Sequence, residues 1–392
     1  MTTMMLSCVD CRAEYTATLR YACEECGGIL EVVHAGGPPS DAAALVAPEV
    51  TLGEGGTPLL RARAGSAEGA IWIKDETRNP SGSFKDRLVS AALTTALGFG
   101  SKGLVCASSG NAGASAAAYA ARAGIPAVIL VPEQTPAEKM AQIAAYGALL
   151  VRVAGHYSNS YAMALAVAEE TGFVNVTTTF INPYGTDALR LVGHEIHAQL
   201  GETAPDWVIV PTGSGPLVKG VVQGFADRGG RTPKIVAVQA EGCAPIVKAF
   251  DEGAAEVQPW GEPKTIASGI SDPLIGYARD GTYTLRLVRE SGGRAIAVSD
   301  DEIIQAMKVL AAGNGIFAEP TGASSLAAAQ KLMARGEIRP GERVVCMVTG
   351  HGFKQFAIYR QMPVHEIRVE ADAPATVITG ALREITGPGA LH

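Results

Sequence analysis

Five short apolar runs, each ending near a glycine- or serine-bearing loop, constrain this chain more than any other feature. They are Leu104–Ala107, Ala127–Val131, Val208–Val210, Ile235–Val238 and Val344–Val348. None shows the polar/apolar alternation of a half-exposed strand, and Ala-rich patterns of helical period repeatedly follow. Continuous apolar strands alternating with helices require parallel sheets covered on both faces. Ligands of such sheets bind beyond the carboxyl ends of the strands. The loops lying there are Ser108-Ser109-Gly110-Asn111, Thr212-Gly213-Ser214-Gly215 and Thr349-Gly350-His351-Gly352. All three have the composition of an anion- or cofactor-binding turn.

The remaining composition narrows the class. A chain of 392 residues, 47% hydrophobic and 18% charged, can build two α/β domains with a sizeable core. A net charge of −7 gives no electrostatic case for binding nucleic acid or an anionic membrane. No apolar run reaches the roughly 18 residues of a membrane span. The first six residues lack the basic region and apolar stretch of a signal peptide. The expectation is a cytoplasmic protein.

Four of the seven cysteines form two CxxC pairs, Cys8/Cys11 and Cys23/Cys26. Two such knuckles joined by a hairpin can offer four thiolates to one structural zinc, with no coordination position left for catalysis. The same spacing also fits two redox pairs, or a ribbon that keeps its cysteines without holding metal. Cys106, Cys243 and Cys346 lie in apolar contexts and read as inert core residues.

The segment Asn79-Pro80-Ser81-Gly82-Ser83-Phe84-Lys85-Asp86-Arg87 places one lysine at a Gly/Ser turn where an apolar helical pattern begins. A positive helix end disfavours an ammonium and favours the neutral amine, which can condense with an aldehyde. Lys85 therefore reads as a Schiff-base lysine; the plainer alternative is a surface turn before a helix. The segment closely resembles the cofactor-lysine motif of fold-type II pyridoxal-phosphate enzymes, the threonine synthase family in particular. The resemblance runs co-linearly from about Thr51 to Lys354.

That resemblance implies two doubly wound parallel-sheet α/β domains with the cofactor in the cleft between them, plus a small N-terminal zinc-ribbon-like module. The implied layout is 1–35 for the ribbon, then a linker over Gly36–Ala47. A large domain would follow from 48–95 and 190–355, with a smaller one from 96–189 and a tail of unassigned role over 356–392. Gly213, Ser214, Gly215, Pro216 and Leu217 would cradle the cofactor phosphate, since small residues let N–H groups converge at a helix start. Alone, such a loop is a weak signal. Thr349 would meet the pyridine nitrogen and Asn111 the phenolic oxygen. Ser108, Ser109, Asn111 and Ala112 would take the substrate carboxylate, although Ser109 or Asn111 could equally be a plain helix cap. Glu54–Pro58 and Glu319–Ala323 also match the family and read as pocket walls. The implied activity is a lyase converting O-phospho-L-homoserine and water to L-threonine and phosphate, in a homodimer. Lys85 would serve as covalent anchor and proton shuttle. The alternative is a serine/threonine dehydratase-like ammonia-lyase or a β-replacement synthase.

Two departures bear on the substrate. Family members specific for O-phosphohomoserine carry Asn-Ser-x-Asn-Pro-Tyr-Arg, whereas this chain reads Thr179-Phe180-Ile181-Asn182-Pro183-Tyr184-Gly185. The missing arginine removes a bidentate grip on phosphate; Arg190 and Lys139 are the candidates to compensate. Pro216 removes one N–H from the phosphate loop but is compatible with the first helical position. His194-Glu195-x-His197 misses the HExxH zinc spacing by one residue and reads as partly exposed helix. His351 reads as a structural turn residue.

Overall fold

The computed structural model describes residues 4–35, 49–63, 71–155, 157–177, 179–362 and 366–386. The expected linker Gly36–Ala47 lies outside them. Residues Met1–Gln355 form one compact unit and Phe356–His392 another. The second contains a short helix, Phe356–Tyr359, and a longer one, Ala375–Thr386.

Among the described residues the first unit holds three sheets. At the N-terminus, β1 (Met4–Cys8) pairs antiparallel with β2 (Glu14–Thr16) and β3 (Leu30–His34), giving a small ribbon. A six-stranded sheet has the order β12-β11-β10-β13-β5-β4. Its strands are β4 (Leu59–Arg61), β5 (Ile71–Asp75), β10 (Trp207–Pro211), β11 (Lys234–Ala240), β12 (Arg294–Val298) and β13 (Val344–Val348). All its pairings are parallel except the edge pair β4–β5. A four-stranded parallel sheet has the order β8-β7-β6-β9, from β6 (Leu104–Ala107), β7 (Ala127–Pro132), β8 (Leu149–Val153) and β9 (Val174–Asn175).

All five apolar runs are strands, and β6, β10 and β13 are buried along their whole length. The strands that sequence patterning did not single out are shorter or carry charges. β5 contains Lys74 and Asp75, β8 contains Arg152, and β12 starts at Arg294. Between strands lie the helices α1 (Lys85–Gly98), α2 (Asn111–Ala123), α3 (Ala137–Ala145), α4 (Tyr157–Thr171), α5 (Pro183–Ala188), α6 (Arg190–Gln199) and α7 (Pro216–Asp227). Farther on come α8 (Pro245–Asp251), α9 (Ala278–Glu290), α10 (Asp300–Lys308) and α11 (Pro320–Ala334). No described helix is long and apolar enough to cross a membrane.

Lys74 is tolerated inside β5 because a buried ion network receives it. Its ammonium reaches Glu195 Oε2 at 2.6 Å and the Thr57 carbonyl at 2.7 Å. The Arg87 guanidinium spans two carboxylates, meeting Glu76 at 2.7 and 2.8 Å and Glu195 at 2.6 and 2.8 Å. His194 and Glu195 are thus not on an exposed helix face. His194 is buried with Nε2 2.9 Å from Asp227, and His197 is buried as well. The helix is covered because α6 packs along α7, where Gly193 and Gly224 approach so closely that a Cβ on either would meet the other backbone at 2.9 Å.

Burial alone would raise the Glu195 carboxyl, but Arg87, followed by Lys74, overrides it and brings the group down to about 2. A carboxylate depressed this way stabilises the fold above its unfolded value, and the contribution is lost as the pH falls towards about 2. Replacing Arg87 by Met should leave two buried carboxylates short of their main cation. We expect a loss of about 3–5 kcal/mol, read as a lower urea midpoint at pH 7 that narrows towards the wild-type value as the pH falls through the carboxylate range.

Candidate active site

Three neighbouring parallel strands deliver three of the predicted loops to one place. β10, β13 and β5 lie side by side, so the loops after Pro211, Val348 and Asp75 leave the same sheet edge. The loop before Lys85 is pinned to the loop after β13 by backbone bonds. Phe84 N–H donates to the Thr349 carbonyl at 3.1 Å and His351 N–H donates to the Gly82 carbonyl at 2.9 Å. Within the lysine motif, Ser81 N–H and hydroxyl donate to Asp86 at 2.6 and 2.5 Å. Asn79 donates to Glu76 and accepts from Gly55 N–H at 3.0 Å. Most of the motif therefore serves to hold the turn that presents one amine.

Lys85 is the first residue of α1 and is half-buried. Its amine lies 4.5 Å from the centre of the Phe84 ring. Burial pulls the ammonium down to about 8, with Cys106, Asp272 and Glu319 pulling weakly the other way. Desolvation, rather than the helix end invoked from sequence, is thus the main cause. Cys106 is fully buried, and burial pushes its thiol up to about 12, which suits an inert core residue.

Thr349 is buried, and its hydroxyl has no partner among the described residues. The Asn111 amide donates to Glu319 Oε1 at 2.7 Å while its Oδ1 is left unpaired. Asn111 therefore does not cap α2; the cap position is Gly110, without a side-chain bond. A Cβ at Gly350 would lie 2.2 Å from Glu319 Oε1, so only glycine lets this carboxyl in. Burial pushes the Glu319 carboxyl up, and Asn111 opposes the shift. Ser108, Ser109 and Ala112 surround the turn into α2, with both serines half-exposed. Gly213, Ser214 and Gly215 lead into α7, with Pro216 at its first position and Leu217 behind it. Gly215 has φ +118, and a Cβ there would meet Thr284 Oγ1 at 1.8 Å. The two unpaired buried polar atoms, the glycine cradle and the depressed lysine together fit a phosphorylated pyridine aldehyde.

The far wall was not legible from motifs. Asp272 accepts from the Tyr277 hydroxyl at 2.7 Å, and the Tyr277 ring stacks on Tyr161 at 5.3 Å. Asp272 faces Gly213, whose Cβ position is 3.3 Å from its Oδ2. Asp280 is buried, accepts from Phe180 N–H at 3.2 Å, and is pushed up to about 7 by burial. The sequence reading singled out no residue of this segment; its one local signal is the turn-favouring Asp272-Pro273 pair. The Thr179–Gly185 stretch is shaped by packing. Phe180 is buried against Val9, Ile29 and Tyr283, and a Cβ at Gly185 would meet Leu88 at 2.8 Å. No arginine fits at that position. Arg190 cannot compensate, because it is buried and paired with Asp187 and Asp227. Lys139 is half-buried on α3, close enough for its charge to act on Glu319.

His351 is a turn residue as expected, with Nδ1 accepting from Phe353 N–H at 3.3 Å and its ring edge-on to Phe317. The Glu54–Pro58 stretch lies elsewhere. Glu54, Gly55 and Gly56 border a separate cavity of about 180 Å³ together with Met4, Val32 and Arg87. The four ribbon thiols converge, all within 4.8 Å of one another. Tyr15 pulls Cys23 down to about 6, while Cys11 and then Cys8 push Cys26 up to about 12. Such a crowd of thiols suits a bound cation.

The comparisons agree with this geometry. The sequence profile described as "Pyridoxal-phosphate dependent enzyme" matches residues 50–350. Threonine synthase of Methanocaldococcus jannaschii is 35% identical, across 97% of this chain and 100% of that protein. The threonine synthase of Methanosarcina acetivorans is 36% identical, across 89% of this chain and 92% of its own. Among solved structures, maize serine racemase superposes with a TM-score of 0.69 at 26% identity, covering 82% of this chain and 94% of that one. The shared fold is that of the fold-type II enzymes. From Val50, ahead of β4, to the glycine after β13, this chain belongs to the pyridoxal-phosphate dependent enzyme family.

Proposed function

We propose that this protein is a carbon–oxygen lyase of the threonine synthase kind, converting O-phospho-L-homoserine and water to L-threonine and phosphate. The observation that carries the reading is the pair of buried, unpaired polar atoms on Asn111 and Thr349 near the half-buried Lys85, in a chain 35–36% identical to threonine synthases over most of its length. When bound, pyridoxal phosphate supplies an aldehyde for an amine and a conjugated ring that takes up the electron pair released at the substrate α-carbon.

The residues divide the remaining work. Lys85 would hold the cofactor aldehyde between turnovers and, as a free amine, would move protons at the substrate α- and β-carbons. Its depressed pKa leaves a useful neutral fraction near pH 7. The N–H groups of the Gly213–Leu217 loop and the α7 start would hold the phosphate. The Thr349 hydroxyl would meet the ring nitrogen without holding it protonated, which favours elimination over transamination. Asn111 would meet the phenolic oxygen, and the Ser108–Ala112 turn would hold the substrate carboxylate. The reading extends to a structural zinc at Cys8, Cys11, Cys23 and Cys26 and to the domain layout stated from sequence. It also includes a homodimer, which the resemblance implies, and the cytoplasmic setting expected from composition.

A second reading, an ammonia-lyase or β-replacement enzyme with a non-phosphorylated substrate, is favoured by one observation. The wall around Phe180 presents Asp280 and packed aromatic rings, and Arg190 is committed elsewhere. Under the first reading Lys139 is the available phosphate cation. Lys139→Met should then raise KM for O-phospho-L-homoserine about tenfold, the order of one charge-assisted contact, while kcat stays near wild type.

Threonine and phosphate released in equal amounts from O-phospho-L-homoserine would support the first reading. An oxo acid and ammonia from serine or threonine, with no phosphate released, would move the assignment to the second. Lys85→Ala should abolish turnover and the borohydride-trapped cofactor adduct seen by mass spectrometry. Capture of added cofactor by the cofactor-free chain should speed up about tenfold per pH unit as the lysine deprotonates, then level off above about 8. A flat stopped-flow profile between pH 6 and 8 would argue against Lys85 as the titrating amine.

A further inference from the structure

The ribbon is built into the catalytic body at the segments that border the proposed substrate pocket. Its cysteine Sγ atoms lie 3.5, 3.5 and 3.6 Å apart for the pairs Cys11–Cys23, Cys11–Cys26 and Cys8–Cys26. Four thiolates around one zinc sit about 3.8 Å apart, given metal–sulfur bonds of about 2.3 Å. Three of the six pairs are thus close to that spacing, and all four thiols lie within 4.8 Å of one another. Gly28 closes it, since a Cβ there would meet Cys8 Sγ at 2.8 Å and Cys26 Sγ at 3.0 Å. The Tyr15 hydroxyl, 3.1 Å from Cys23 Sγ, also accepts from Glu24 N–H.

Residues next to the ligands reach straight into the pocket wall. Val9 follows Cys8, Ile29 follows the Gly27-Gly28 turn after Cys26, and the two are joined by a 3.0 Å backbone bond. Both are buried against Phe180 and Tyr283. The Cys26 carbonyl accepts from Arg279 at 3.1 Å, and the next residue, Asp280, accepts from Phe180 N–H. Further bonds hold the rest of the segment. Asn175 N–H donates to the Tyr21 hydroxyl at 2.9 Å, the Tyr184 hydroxyl donates to the Thr18 carbonyl at 2.8 Å, and His34 lies 2.8 Å from Asp187. Glu31 meets Lys219, in the first turn of the phosphate-loop helix α7, at 3.7 Å.

We propose that the metal-loaded ribbon is a positioning element of the substrate pocket. Zinc fixes the two knuckles, the knuckles seat Val9 and Ile29 on Phe180, and Phe180 sets the wall formed by residues 179–187 and the start of α9. Phenylalanine in place of the family's serine is then the anchor through which metal occupancy reaches the substrate. The proposal rests on the reading above that this segment borders the substrate.

The test uses the full-length holoenzyme, with zinc content measured throughout. Two arms are compared with wild type: zinc stripped by a chelator, and the variant V9A/I29A, which keeps all four thiols. Readouts are amide hydrogen exchange, cofactor absorbance, and KM and kcat for whichever substrate the assays above identify. In both arms, exchange over 179–187 should rise at least tenfold and KM at least fivefold, with V9A/I29A still holding one zinc. Strand β13 and the cofactor band should stay unchanged. Unchanged exchange at 179–187 in either arm would overturn the proposal. So would exchange rising equally in β13, because the metal would then support only global folding. If no substrate turns over, the proposed function fails while the exchange comparison still decides the role of the ribbon.

Discussion

Arg87 is the residue on which the geometry of the active site depends. Its guanidinium is fully enclosed and spends its donors on Glu76, Glu195 and the Thr57 hydroxyl. Those partners belong to the end of β5, to α6 and to the turn before β4, so one planar cation ties three stretches of chain to the first turn of α1. Lys85 sits two residues before it on the same turn. A buried ion pair contributes little net stability, because desolvation cancels most of the attraction, but breaking one is costly. Here its effect is positional: while Arg87 stays paired, the first helical turn from which Lys85 projects is held in place.

The second constraint is the backbone stitching between the Gly82–Phe84 and Thr349–His351 loops. Because both loops leave adjacent parallel strands, their bonds hold the segment that carries the amine beside the one that carries the unpaired Thr349 hydroxyl. Gly350 allows Glu319 to approach Asn111 across it. Small residues therefore recur around the site for packing reasons as much as for ligand binding. Gly185 makes the same point at the distal wall, where α5 leans on Leu88.

Much of this was readable from the chain. The five apolar runs are strands, the three loops lie beyond their carboxyl ends, and Pro216 opens a helix as its chemistry allows. Buried parallel strands are apolar throughout, so their pattern survives without knowledge of neighbours. The charged strand β5 did not stand out, because its Lys74 is compensated by residues more than a hundred positions away. The His194–His197 helix looked exposed for the same reason: its cover, α7, is a tertiary neighbour.

What the sequence by itself determined is the class of chemistry. A lysine in a stiff Gly/Ser turn, a glycine loop after one buried strand and a threonine after another carry their meaning locally, since each depends on its own backbone and first neighbours. What only the tertiary structure decided is the character of the substrate wall and the use of the ribbon. Asp272, Asp280, Tyr161 and Tyr277 come together only when the segment leading into α9 meets Tyr161 of α4 and Phe180. Phe180 becomes an anchor only because two cysteine knuckles close on it. Contacts between segments far apart in the chain are chosen by packing and desolvation together, and neither is written in any single stretch of residues.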